Sequence, residues 1–272
     1  MTGRGIDHIG LVSKSLDGLA AQYEALGFTL TPRAYHPDHM GTSNQLVQFK
    51  GRNFIELIEV DRPNGIAPPQ PGHMSFGHFA QDLLERREGI CLVVFRTQDR
   101  DADLAAWRAK GLDTYEPFNF ERLATLPDGT QQTVRFELGF VTSPLIPDTV
   151  FFVCHNRAEE HFWKPEYQVH ANGADQIESV VLAAEDPAEH ARFFAALFDG
   201  QISPCMEGVT VQCAEHGIHI CKPDILAARG WTGKRPTDGS AVVAGMNISA
   251  PDRADTFTPA GDAGGAFIYW TT

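Results

Sequence analysis

Two residues of opposite chemical character stand inside apolar, strand-like segments near the start of the chain. His8 lies within the run Gly5–Val12, and Glu56 shares one face of an alternating segment with Phe54 and Ile58. Because burial of an unpaired carboxylate is costly, Glu56 is expected to have a partner, either His8 or an arginine. A histidine–glutamate pair that faces a pocket is an acid/base couple. The alternative is that His8 is a strand histidine hydrogen-bonded to a neighbour.

A histidine-containing segment lies between these two residues. Residues 35–42 include His36 and His39, and Asn44 follows shortly afterwards. The segment is either a surface loop or the rim of a pocket, with Asn44 as an orienting group. Of the two histidines, we assign the pocket role to His39.

Further candidate pocket residues come later in the chain and are mostly aromatic. Phenylalanines at alternate positions of a strand are most often core residues, whereas an arginine beside them could bind a substrate carboxylate. The connecting segment 155–174 is polar and aromatic, and it either covers a pocket or joins two domains. The candidates in these regions are Phe120, Arg122, Phe152, His155 and Trp163.

Composition excludes several classes of function. The net charge of −13 argues against non-specific binding to nucleic acid or anionic membranes, because both attract basic proteins. No Gly-rich phosphate loop, HExxH motif or nucleophile elbow occurs in the sequence. The N-terminus lacks a signal-peptide pattern, and no apolar run approaches membrane-spanning length, so a cytoplasmic location is expected.

The elements around these residues repeat as a strand–helix–strand–strand–strand unit. The first unit spans 1–60 and the second 89–156; a third begins at Ile177–Ala183, and the end of the chain contains two strands of a fourth. In the first unit, a short strand is expected at Phe28–Leu30. We predict two domains, residues 1–172 and residues 173–272.

These units resemble the vicinal-oxygen-chelate superfamily. The resemblance rests on Asp7–Val12 at the opening strand, on Leu26–Phe28 at the end of the helix, and on Phe54–Ile58 at the last strand. The spacing of histidines, Gly41-Thr42 and Asn44 is similar to its glyoxalase-like branch. The resemblance implies an α+β fold in which tandem βαβββ modules form curved mixed sheets, with a degenerate second domain.

The resemblance also implies ligands for a divalent metal ion inside the curved sheet. His8 and Glu56 match the histidine and carboxylate positions of the first module, and such a pair suits Fe, Mn, Zn, Ni or Co. In the second module, Leu92 and Phe152 stand at the corresponding positions. If the first module instead paired with the third, His219 would supply a third ligand; a loop histidine is the alternative third ligand.

Three functions remain open at this point, and the one ranked last is a purely structural or protein-interaction role. The first is a metal-assisted lyase, isomerase or dioxygenase acting on a small oxygen-rich compound, with His8 and Glu56 as catalytic and metal-binding residues. The second is a ligand-binding protein that has lost the metal, as in bleomycin-resistance proteins. The apolar residues Leu92 and Phe152 favour this second function, and the ligand would then be an aromatic or acyl compound. The resemblance further implies a homodimer.

Overall fold

Two mixed β-sheets, each curved around its own apolar cluster, form the protein. The structure is a computed structural model that describes residues 4–125, 131–233, 239–253 and 255–272, without the side chains of 122–125, 131–132 and 160–161. Among these residues, the first sheet has nine strands and the second has seven. The predicted α+β fold with curved mixed sheets is confirmed.

The first sheet is built from two modules that meet at their first strands. β1 pairs in parallel with β4 and antiparallel with β5, and β5 pairs in parallel with β9. The sheet order is β2-β3-β4-β1-β5-β9-β8-β6, and β7 pairs with β8. Its strands are β1 Ile6–Ser13, β2 Ala34–Tyr35, β3 Ser43–Gln48, β4 Phe54–Glu59, β5 Gly89–Arg96, β6 Asp113–Thr114, β7 Phe118–Thr125, β8 Gln131–Thr142 and β9 Val150–Asn156.

The second sheet repeats this plan. β10 pairs in parallel with β13 and antiparallel with β14, and β14 pairs in parallel with β16. The sheet order is β11-β12-β13-β10-β14-β16-β15. Its strands are β10 Gln176–Ala184, β11 Gln201–Cys205, β12 Gly208–Cys213, β13 His216–Cys221, β14 Ala241–Ser249, β15 Thr256–Thr258 and β16 Phe267–Thr271.

The first module therefore pairs with the second, and the third pairs with the strands that follow it. This pairing separates His219 on β13 from the sheet that contains β1 and β4. The alternative pairing of modules one and three, which His219 would need as a third ligand, does not occur. The predicted short strand at Phe28–Leu30 is also wrong, because the short strand of this module lies at Ala34–Tyr35.

Helices follow the first strand of three modules and begin at side-chain caps. The Ser15 hydroxyl accepts a hydrogen bond from the Gly18 N–H at 3.1 Å, and Asp99 and Asp186 cap later helices in the same way. Gly27, with φ +89°, takes the left-handed conformation after the first helix, which glycine adopts without strain. The helices are α1 Leu16–Ala25, α2 Phe76–Leu84, α3 Arg100–Ala109, α4 Glu159–Phe162, α5 Pro187–Phe198 and α6 Pro223–Ala228.

The largest apolar core lies between the two halves of the chain and contains residues from both sheets. The rings of Phe95 and Phe198 are 4.0 Å apart, and the indole N–H of Trp107 donates to the Leu197 carbonyl at 2.9 Å. Because this core occupies one face of the first sheet, the opposite, concave face is free to form a cavity. The division into two domains near residue 172 stays a prediction; the described sheets separate between Asn156 and Gln176.

Short 3₁₀ helices connect several of these elements, at Asp38–Met40, Pro63–Gly65, Pro165–Tyr167 and Ala260–Asp262. Within the described part of the chain, no helix has both the length and the apolar character that a membrane span requires.

Candidate functional site

A cavity opens on the concave face of the first sheet. It encloses about 880 Å³, including its mouth, and strands of both modules line it. The first module supplies a polar wall, whereas the second module supplies mainly apolar side chains; Asn156 and Glu159, at and after the end of the second module, are also polar. The polar lining residues are Asp7, His8, His36, Asn44, Glu56, Asn156 and Glu159.

Glu56 is at the centre of the polar wall. The amide Nδ2 of Asn44 donates to Glu56 Oε1 at 2.6 Å, and His36 Nε2 lies 3.4 Å from the same oxygen. His8 Nε2 lies 3.7 Å from the other oxygen, Oε2. Burial by itself raises the pKa of Glu56, but the hydrogen bonds and charges of His36, His8 and Asn44 outweigh it and lower the pKa to about 2. Glu56 is therefore an ionised carboxylate at neutral pH.

His8 is held in one orientation from two sides. Its Nδ1 lies 2.6 Å from Asp7 Oδ1, and its ring stacks on Phe54 with centroids 4.3 Å apart. The Asp7 carboxylate accepts a hydrogen bond from Nδ1–H, so the second ring nitrogen, Nε2, is directed to the Glu56 side of the cavity. The result is an Asp–His pair whose Nε2 faces the cavity.

Asp7 is a site residue that the sequence pattern did not indicate. In a regular strand, neighbouring residues point to opposite faces, so Asp7 and His8 would be separated. The pairing of β1 with β5 shifts register between Ile6 and His8, which is a β-bulge at Asp7. Such a bulge redirects side chains locally, and both Asp7 and His8 line the cavity. Only the adjacency of an acid and a histidine could have suggested the pair.

Of the two loop histidines, the structure places His36 beside Glu56 and His39 elsewhere. His36 Nδ1 contacts the Thr42 hydroxyl at 2.8 Å, which aims Nε2 toward the cavity. His39 lines a neighbouring cavity, where its ring lies 6.2 Å from that of Phe118. The sequence-based choice of His39 therefore differs from the arrangement in the structure, whereas Asn44 lies against Glu56.

The remaining walls are apolar and largely aromatic. Leu92 and Phe152 occupy the positions where the resemblance implies metal ligands, and both line the cavity. Phe152 also contacts the His8 ring edge-on at 5.7 Å. Eight aromatic rings line the cavity: Phe54, Phe76, Phe120, Phe136, Phe140, Phe152, Phe162 and Trp163.

The segment that contains Phe162 and Trp163 covers one side of the cavity. Both rings pack on Phe54, at 5.1 and 6.1 Å between centroids. The side chain of Gln48 anchors the backbone here, because it donates to the Phe162 carbonyl at 2.9 Å and accepts from the Lys164 N–H at 3.1 Å. The rim of the cavity is therefore tied to β3.

Two further predicted residues, His155 and His219, do not line this cavity. His155 is buried away from the cavity lining, with Nδ1 3.7 Å from Glu137 Oε2. His219, in the second sheet, lies 3.0 Å from the Thr210 hydroxyl through its Nδ1, and burial lowers its pKa. The side chain of Arg122 lies outside the described residues.

The donor set does not fit the metal that the resemblance implies. Catalytic divalent-metal sites are typically held by three protein ligands. Among the residues that the structure describes, no group of three or more His, Cys, Asp or Glu side chains is placed to hold a metal ion. His8 and His36 approach different oxygens of Glu56, and one of these oxygens already accepts from Asn44. The second module adds only Leu92 and Phe152 where the other ligands would stand.

Comparison with known proteins gives the relationships of the chain. The family model described as a glyoxalase-like domain matches residues 6–198. A hypothetical protein from Staphylococcus aureus has 14% identity and a TM-score of 0.72, and the match covers 98% of each chain. A mutant of 4-hydroxymandelate synthase from Streptomyces coelicolor has 12% identity and a TM-score of 0.52, and the match covers 96% of this chain and 78% of that chain. At these identities the two structures show a shared fold. No curated protein matches the sequence.

Proposed function

We propose that this chain, which belongs to the glyoxalase-like domain family, binds a small aromatic or apolar compound in the cavity and transfers a proton on its polar end. The resemblance to the vicinal-oxygen-chelate superfamily is confirmed by the family match and by the fold. The reaction class is that of an isomerase or lyase, in which a carbon next to a carbonyl loses a proton.

The observation that carries the proposal is the Asp7–His8 pair in the wall of a cavity lined by aromatic rings. The 2.6 Å contact between Asp7 and His8 Nδ1 leaves Nε2 as the base, and a base must be able to reach the proton that it removes. His8 is buried, with 6% of its surface exposed, and so acts in a water-poor environment. In such an environment, the charge of Glu56 acts on His8 more strongly than it would in bulk water.

Glu56 and His8 have different roles in this proposal. A carboxylate with a pKa of about 2 is a weak base, so Glu56 does not remove the proton. Instead, its negative charge stabilises the imidazolium that forms when His8 accepts one. Asn44 and His36 keep that carboxylate ionised and fixed in position.

A test uses 2-hydroxyacetophenone, an uncharged aromatic compound with neighbouring oxygens and an exchangeable CH₂ group. In D₂O, the protein is expected to accelerate the exchange of these hydrogens, as followed by proton NMR. His8→Gln should lower the acceleration by about a hundredfold or more, the scale of general-base catalysis. His73→Gln, which changes an exposed histidine outside this cavity, serves as the matched control. Unchanged exchange in His8→Gln would refute the assignment of the base.

A second experiment tests whether the polar wall of the cavity binds a metal ion. Elemental analysis of protein purified without chelator should find no stoichiometric Fe, Mn, Zn, Ni or Co, either in the wild type or in the His8→Ala, Glu56→Ala double variant. Chelator should leave the exchange rate unchanged. Stoichiometric metal that disappears in the double variant would instead support a metal-dependent enzyme.

A second candidate function is ligand binding without turnover. Leu92 and Phe152 favour it, because they make the half of the cavity contributed by the second module apolar. In that case, the aromatic compound would bind and quench Trp163 fluorescence, but its hydrogens would exchange no faster than in buffer. The two functions therefore differ in one measurement on one compound.

A further inference from the structure

The cavity has an excess of negative charge. Asp7, Glu56 and Glu159 line it, and the described lining residues include no lysine or arginine. His8 and His36 are the lining groups able to carry positive charge. Even with both of them protonated, three carboxylates leave one negative charge.

A buried thiol in the wall responds to all three carboxylates. Cys154 lines the cavity and is 8% exposed. Burial raises the pKa of its thiol, and the negative charges of Asp7, Glu56 and Glu159 raise it further. The three carboxylates therefore lie close enough to act on the same thiol in the cavity wall.

The aromatic lining has the same electrostatic preference. The face of an aromatic ring is electron-rich and attracts cations, most strongly in tryptophan. Trp163 already has such a neighbour, because the Arg52 guanidinium carbon lies 5.6 Å from its ring. Arg52 does not line the cavity, so the ring interacts with this cation from outside. Glu159, which is exposed, precedes Trp163 in the covering segment.

The geometry points to a positively charged ligand: an apolar or aromatic amine or quaternary ammonium compound, with its cationic nitrogen between Glu159 and the aromatic rim. This inference rests on the proposed function, because it names the class of compound that enters the same cavity. The aromatic rings accept the apolar body, and the carboxylates compensate the charge that the body brings with it. An anionic ligand would add to the excess of negative charge, which His8 and His36 do not neutralise even when both are protonated.

The test compares three compounds with the same phenylbutyl body, ending in trimethylammonium, hydroxyl or carboxylate. Binding to the full chain is measured by calorimetry. The cation should bind about 2- to 30-fold more tightly than the alcohol, the range expected for a cation on aromatic faces. The carboxylate should bind more weakly than the alcohol. The advantage of the cation should shrink as salt is added, because its partner Glu159 is exposed.

Two variants locate the charge preference. Glu159→Gln should lower the affinity for the cation about two- to fivefold, the scale of an exposed ion pair, and should leave the alcohol unchanged. Glu166→Gln, an exposed residue of the same segment outside the cavity, is the matched control and should bind all three compounds like the wild type. Circular dichroism checks that both variants are folded.

The outcomes separate this inference from the proposed function. If the alcohol and the carboxylate bind as tightly as the cation, the charge preference is wrong while binding in the cavity stands. If the carboxylate binds most tightly and Arg122→Gln abolishes its advantage, the ligand is an anion. If none of the three compounds binds, both the ligand class and the binding role of the cavity are refuted. If the protein does not accelerate hydrogen exchange in 2-hydroxyacetophenone but still prefers the cation, the proposed proton transfer is wrong and the cation preference stands.

Discussion

The buried carboxylate of Glu56 makes the stability of the protein depend on pH in a defined window. The contacts with His36, His8 and Asn44 lower its pKa from 4.5 to about 2. Between these two values, the unfolded chain binds a proton at this residue and the native chain does not. The free energy of unfolding therefore decreases as the pH falls through this window.

The size of the effect follows from the same two values. At about 1.4 kcal/mol per pH unit, the ionised Glu56 stabilises the native state by at most about 3 kcal/mol above the window. Urea unfolding from about pH 3 to about pH 7 measures the dependence for the wild type and for Glu56→Gln. The variant has no titrating group at position 56. Its free energy of unfolding should therefore fall less steeply with decreasing pH than that of the wild type, and the two slopes should differ by up to about 1.4 kcal/mol per pH unit.

The slope is more informative than the stability at neutral pH, because Glu56→Gln also changes the hydrogen bond from Asn44. Glu24→Gln, on the exposed side of α1, is the control and should keep the wild-type slope. If the wild type and Glu56→Gln lose stability in parallel below pH 4.5, Glu56 is not held ionised. His8 would then lack the fixed negative charge that its role as the base requires.

Three further predictions concern positioning and stability. Burial lowers the pKa of His216 to about 4. As the pH falls from about 6.5 to about 4, the free energy of unfolding of the wild type should therefore decrease by up to about 3 kcal/mol, and that of His216→Gln should decrease less, as measured by urea titrations. Asp7→Asn should let His8 populate both neutral tautomers, which nitrogen NMR distinguishes. It should also lower the rate at which the CH₂ hydrogens of 2-hydroxyacetophenone exchange, by about tenfold. Asn53→Ala should cost about 2–4 kcal/mol in urea unfolding, because the Asn53 amide bonds both the N–H and the carbonyl of Ile177 and joins the two sheets. An Asn53→Ala variant of wild-type stability would show that this link contributes little.

Local patterns in the sequence were sufficient to predict the α+β fold and its repeated modules. Alternating apolar residues, helix caps such as Ser15 and Asp186, and the glycine after α1 each act over a few residues, so they can be read without knowledge of the fold. The error at Phe28–Leu30 has the same origin. A short apolar run fits a strand, but the chain there packs into the core without pairing, and Phe28 stacks on Trp270 at 5.5 Å.

The opening residues of the candidate site were also visible in the sequence. His8 and Glu56 stand on neighbouring strands because of their places in the repeat, and the structure brings them within 3.7 Å. Strand alternation explains why both point to one face. Their roles in binding or catalysis stay predictions until the exchange and binding measurements are made.

The rest of the site depended on contacts that no local pattern specifies. The bulge that brings Asp7 beside His8 arises from the register between β1 and β5, which are about eighty residues apart in the chain. The positions of His36 and His39 depend on how a loop of the first module packs against Phe120 and Phe118 of the second. His219 is separated from the first sheet because the first module pairs with the second and not with the third. The short sequence patterns of the modules are alike, so they do not indicate which modules pair. These features arise from long-range packing, and only the folded chain determines them.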